Sequence, residues 1–114
     1  MKACVIFVAA DRAGDIKKIT DALLKDRSAA CVNVVGPMSS VYRWKGKIEK
    51  ASEKLMIIKA PKSNVKKIIS TVKKLHSYET PEIIALDIAD GYAGYIKWIF
   101  NETHDYVKQG KKQY

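Results

Sequence analysis

The stretch from Ala29 to Ala60, AACVNVVGPMSSVYRWKGKIEKASEKLMIIKA, decides the fold. Its two ends, AACVNVV (29–35) and LMIIKA (55–60), are apolar and rich in β-branched residues, as buried strands tend to be. Between them Val41-Tyr42-Arg43-Trp44 alternates, which places Tyr42 and Trp44 on one face and Val41 and Arg43 on the other. The chain reverses at Lys45-Gly46: Gly46 tolerates positive φ, and Lys45 and Lys47 keep the tip in water. From Lys47 to Ala60 the second strand spans about 45 Å at roughly 3.3 Å per residue, against a usual ~17–20 Å. No helix in a chain of 114 residues covers such an overhang. An aromatic overhang needs a partner, and the simplest is another copy of itself.

The totals agree with one soluble domain covering residues 1–114. A hydrophobic fraction of 47% and a charged fraction of 29% are ordinary for a globular chain, and this length builds a core without disulfides or a structural metal. No apolar run reaches the ~18 residues of a membrane span. Val5 to Ala10 lacks signal-peptide anatomy, so a cytoplasmic protein is expected. Cys4 and Cys31 lie in apolar strand-like runs without CxxC spacing and are read as reduced, small hydrophobes. The net charge of +9 raises nucleic acid as a partner. Most lysines fall on polar helix faces or in the tail and few arginines are present, so a solvated surface with no specific nucleic-acid partner is preferred.

Outward from the hairpin, Lys2 to Ala10 reads as a first strand buried on both sides, because Cys4-Val5-Ile6-Phe7-Val8 shows no alternation. Asp15 is placed as the cap of a helix whose apolar positions are Ile16, Ile19 and Leu23, ending near Arg27-Ser28. After Pro61, Ser63 is placed as the cap of a second helix with Val65, Ile68, Ile69, Val72 and Leu75 on one side. A fourth strand, Ile83 to Ile88, and a third helix from about Tyr92 to Lys108 follow; Gln109 to Tyr114 read as frayed. Trp98 and Phe100 fall outside the apolar stripe of that helix, which is therefore wider than one packed face needs. The order β-α-β-β-α-β with a C-terminal helix predicts an α+β, ferredoxin-like sandwich with two helices on one sheet face and the other face bare. Apolar residues on both faces then call for oligomerisation.

The motifs now resemble a known family. AACVNV (29–34), S-x-Y-x-W-x-G-K-I-E (40–49), Lys59, H-x-Y-E-x-P-E-I (76–83) and Y-x-x-W (95–98) occur in order, and the chain resembles the CutA family, the divalent-cation-tolerance proteins, from Val5 to about Glu102. The resemblance implies one CutA-like domain, a ferredoxin-like fold, a homotrimer similar in build to PII signalling proteins, and an association with copper and other divalent cations. Ser77 stands where the family usually has Pro, and Arg43 interrupts a motif that is often Tyr-Trp-Trp. Copper binding in bacterial members involves a Cys near the end of the first strand with adjacent histidines; the matching positions here are Val8 and Leu75-His76.

His76 with Glu79 and Glu82 is the cluster whose residue types suit a divalent cation such as Cu²⁺. His76 is equally placed to complement a helix dipole, and both glutamates to pair with lysines. Tyr42 and Trp44 are read as subunit interface rather than cofactor pocket. Glu49, Lys59 and Tyr78 are placed in a cleft between subunits, with Trp98 on the same kind of surface. No nucleophile–base pair and no glycine-rich phosphate loop is legible, so no enzyme activity is expected, and no cofactor is required for folding. Two functions stay open: a metal-binding tolerance protein responding to metal ions, and a trimeric regulatory or scaffold module that binds a small molecule or protein at its clefts.

Overall fold

A computed structural model describes residues 2–104. Within them the order is β1 (Ala3–Ala10), α1 (Ala13–Lys25), β2 (Cys31–Trp44), β3 (Lys47–Pro61), α2 (Val65–Leu75), β4 (Ile83–Asp87) and α3 (Ala93–Glu102), with a 3₁₀ turn over Lys62–Asn64 before α2. One four-stranded sheet has the order β2-β3-β1-β4, and every neighbouring pair is antiparallel. The hairpin of β2 and β3 turns at Lys45-Gly46 as expected, but both residues take positive φ, 51° and 81°. That pair matches the right-handed twist of the flanking strands.

Register sorts the sheet into two faces. Ile6, Ile58 and Val32 stand opposite one another, as do Val8 and Met56, and these join Ile16, Ile19 and Leu23 of α1 and Ile68 and Val72 of α2 in one core. Ile6, Ile19, Leu23, Met56, Ile58, Ile68 and Val72 are sealed from solvent. The other face carries Val5, Phe7, Ile57 and Lys59, half-buried, with Ile84 and Leu86 of β4 exposed. This face is not bare, as the sequence suggested. α3 packs on β1 and β3, brings Tyr95 beside Cys31 and buries Ile99 completely.

Several boundaries differ from the sequence expectation, each for a local reason. α1 starts at Ala13, so Asp15 is in its first turn rather than at the cap, and its carboxylate is engaged elsewhere. The helix stops because Arg27 takes φ 61°, which turns the backbone N–H groups of Ser28 and Ala29 onto the Leu23 carbonyl at 3.1 and 3.2 Å. Ser63 caps nothing: the tighter turn over 62–64 intervenes, and α2 begins after Asn64 with no side-chain cap. α3 runs to Glu102, where Thr103 leaves helical geometry and folds its hydroxyl onto the Ile99 and Phe100 carbonyls; the part of the expected helix over 105–108 lies outside the described residues. The expectation for Gln109 to Tyr114 lies outside the described residues.

The hairpin itself carries a kink that the alternation missed. Between Val35, opposite Leu55, and Met38, opposite Glu53, β2 has one residue more than β3. Gly36 sits there at φ 147°, and a Cβ at that position would meet Lys54 Cγ at 3.0 Å and the Glu53 carbonyl at 3.2 Å, so only glycine fits. Beyond the kink every residue from Val41 to Lys50 is exposed, and the molecule measures 52 Å along its longest axis. The overhang read from the sequence is real.

Candidate functional site

Chemistry-bearing side chains gather at the end of β1, where α2 hands over to β4. Helix α2 stops at Leu75 because His76 adopts extended backbone, φ −84° and ψ 138°, which turns its ring inward. His76 is only 7% exposed, so its imidazole is buried at the end of the helix. Its Nδ1 accepts a hydrogen bond from the Tyr78 backbone N–H at 3.1 Å. Nε2 therefore carries the proton and donates to the Ala9 carbonyl at 2.8 Å. The Tyr78 ring lies 4.5 Å from the imidazole, and its hydroxyl donates to Glu53 Oε2 at 2.7 Å. Burial first, and then the bond to the Glu53 carboxylate, hold the Tyr78 phenol well above its usual pKa. Next to it the Ser77 backbone N–H donates to Asp15 Oδ2 at 2.9 Å, and hydrogen bonding to Ser77, from its side chain first and then its backbone, lowers the Asp15 pKa. Residues 76–78 thus tie together the end of β1, the start of α1 and the middle of β3.

This arrangement fits a structural clasp better than a preformed metal centre. Both ring nitrogens of His76 are engaged, so coordination would first break one of those bonds. Glu79 and Glu82 are exposed. Among the described residues no group of three or more His, Cys, Asp or Glu side chains is arranged to hold a metal ion. The sequence missed Glu53 and Asp15 as members of this cluster. Glu53 had a signal, being an acidic residue in a strand otherwise closing on the core; Asp15 had none once it was assigned to capping.

The residues assigned to a subunit surface fall into two separate groups. Tyr42 faces Glu49 across the hairpin, and Trp44 faces Lys47 with the Lys45 ammonium 5.6 Å from its ring. Tyr42 and Trp44 are 45% and 37% exposed, so within one protomer they fill no pocket. At the other end Lys59 donates to the Asn33 side-chain carbonyl, which the Cys31 thiol also approaches at 3.6 Å. Tyr95 lies over this group, its pKa raised by burial and then by Cys31, and stacks on Trp98 at 5.5 Å. Lys59 and Glu49 are ten residues apart along β3, about 33 Å, so one protomer cannot bring them together. Cys31 is half-buried and Cys4 buried, and both are free thiols. Cys4 donates weakly to Asp87 at 3.5 Å, and burial pushes its thiol pKa up, which leaves it an inert core residue.

Comparison with known proteins supplies the family. The family described as CutA1 divalent ion tolerance protein matches residues 4–102. The chain is 40% identical over 87 residues to the divalent-cation tolerance protein CutA of Thermus thermophilus, covering 76% of this chain and 84% of that one. It is 37% identical over 101 residues to the chloroplastic protein CutA of Arabidopsis thaliana, covering 89% of this chain but only 56% of that one. This chain thus spans little more than half the plant relative's length. The crystal structure of CutA from Xylella fastidiosa superposes with a TM-score of 0.87 at 33% identity, covering 91% of this chain and all of that one (100%). A match of this extent, on the same four-stranded antiparallel sheet and helices, means that the chain belongs to the CutA1 divalent ion tolerance family.

Proposed function

We propose that the chain is a homotrimeric, non-catalytic divalent-cation-tolerance protein of the cytoplasm, each protomer a ferredoxin-like sandwich and the whole built like a PII trimer. The observation that carries the assembly is the unpartnered apolar surface. Val41 and Ile48 on the overhang are 60% and 58% exposed, and Ile84 and Leu86 on the sheet are 50% and 47% exposed. Isolated exposed apolar residues are common, but a hairpin of this length with Tyr42 and Trp44 beside them is a surface that a second copy covers. Light scattering tests it: a mass three times that of the protomer is expected, and a stable monomer at micromolar concentration refutes it.

The link to divalent cations rests on the family, and the ion's place in this chain is part of the proposal. If Cu²⁺ binds, His76 supplies the imidazole and gives up its bond to Ala9 or Tyr78, with Glu79 or Glu82 as carboxylate. Breaking a buried bond on binding makes such a site weak. Calorimetric titration of copper into the wild type and the Glu79→Gln/Glu82→Gln variant tests this, because neither exposed glutamate is needed for folding. A second reading, a regulatory or scaffold module binding a small molecule or protein between subunits, is favoured by Lys59, whose ammonium among the described residues is held by the neutral Asn33 amide. Saturable copper binding lost in the double variant supports the first reading. No saturable copper binding in either protein supports the second.

A further inference from the structure

The helical layer carries a feature that the core does not use. α1 and α2 together hold seven lysines against two aspartates, and α2 has no acidic residue at all. The lysines recur seven residues apart: Lys18 with Lys25, Lys66 with Lys73, Lys67 with Lys74. Seven residues are two helical turns, so each pair lies in one row with about 10 Å between its members. All six are exposed, and both helices back onto the same core, so the rows share the outward face. Lys67 pairs with Asp26 at 3.6 Å; among the described residues the other five have no ion pair.

An ordinary solvated helix intersperses acids at i±4, which α2 does not do. Its first turn instead holds Lys66 and Lys67 where the helix dipole disfavours cations. An external polyanion offsets that cost.

We propose that the outward face of α1 and α2 docks on the phosphate backbone of duplex nucleic acid without reading its sequence. The row spacing approaches the ~12 Å width of the major groove, so the two lysines of a row reach the strands on either side. Neither helix contains an aromatic residue or an arginine, which leaves no ring to stack on bases and no planar guanidinium fork to match a base edge. The same lack of aromatic side chains removes the usual anchors for a lipid headgroup layer.

Anisotropy with a labelled 20-base-pair duplex of mixed sequence tests the proposal on the whole protein. Five unpaired lysines predict a log–log salt slope of about −4.5, a weakening of about 500-fold between 50 and 200 mM salt. Scrambling the duplex leaves the affinity within about twofold. Lys66→Gln/Lys73→Gln, which keeps helix propensity, makes the slope shallower by about 2. The control Lys45→Gln/Lys47→Gln removes equal charge at the hairpin tip and leaves the slope unchanged. An equal loss in that control shows bulk charge at work and overturns the proposal. So does the absence of binding at 50 mM salt, or tighter capture by phosphatidylglycerol vesicles than by the duplex.

Discussion

The two halves of the sheet are made of similar residues and meet opposite fates. Towards the ends of β1, Ile6, Met56 and Ile58 are fully buried under α1 and α2. Beyond the kink, Val41 and Ile48 are no less apolar and stand more than half exposed. The difference lies in what is available to cover them. Among the described residues three short helices and the strands β1 and β4 are all that folds against the hairpin, and the hairpin outruns them. The near half is therefore the chain's own core, while the far half finds no cover among the described residues.

Substitutions sharpen or break that division. The largest effect belongs to the near half: Ile58→Ala should cost about 2–5 kcal/mol, read from the urea midpoint, because it opens a cavity in a sealed core. A loss below about 1 kcal/mol would mean that this core is not where stability resides. His76→Ala comes next. It leaves the Ala9 carbonyl and the Tyr78 N–H without partners, and about 1–3 kcal/mol should be lost. Tyr78→Phe removes one bond to a buried carboxylate and should cost about 1.5 kcal/mol, with the strain falling on Glu53. On the far half Ile48→Ser should change unfolding of a dissociated protomer by no more than about 0.5 kcal/mol. The same change should lower the concentration-dependent part of the melting temperature if the proposed trimer covers this residue. A large effect on the protomer itself would erase the distinction.

The smallest expected effect concerns pH. Asp15 has its pKa lowered in the folded state, by its bond to Ser77 first. A lowered acid contributes stability that is fully present above its unfolded pKa, about 3.9, and lost as pH falls through the folded value. Asp15→Asn should therefore lower stability slightly at neutral pH, flatten the acid limb below about pH 4, and leave stability at the acid end nearly unchanged. An unaltered acid limb in that variant would place the titrating group elsewhere.

Much of this was legible in the chain because periodicity is a local property. The 3.6-residue spacing of Ile68 and Val72, and the apolar ends of β2 and β3, identify their elements without any knowledge of the fold. What was not legible depends on distant partners. His76 looks like an exposed helix end until Ala9, in a strand 67 residues earlier, is placed beside it. Asp15 looks like a cap until Ser77 arrives from 62 residues away. The third helix reads as longer than it is because Thr103 satisfies carbonyls that a further turn would have used. For the metal set residue type alone suggested ligands, and it takes the fold to show that both ring nitrogens of His76 are hydrogen-bonded.

The extra residue at Gly36-Pro37 has an evolutionary consequence. Because side chains in a strand point alternately up and down, one added residue exchanges the two faces for everything that follows. Tyr42 and Trp44 stand opposite Glu49 and Lys47, and so share a face with Cys31 and Asn33, only because β2 counts one more than β3. Losing a single residue between Val35 and Met38 would swing both aromatic rings to the reverse side without altering one side chain. Length changes in this arm should therefore survive in relatives as compensated pairs, one in each strand or two in the same strand, and single-residue gaps should be rare there. The kink works as a parity bit, and a lineage that flips it would present the opposite surface to whatever the arm embraces.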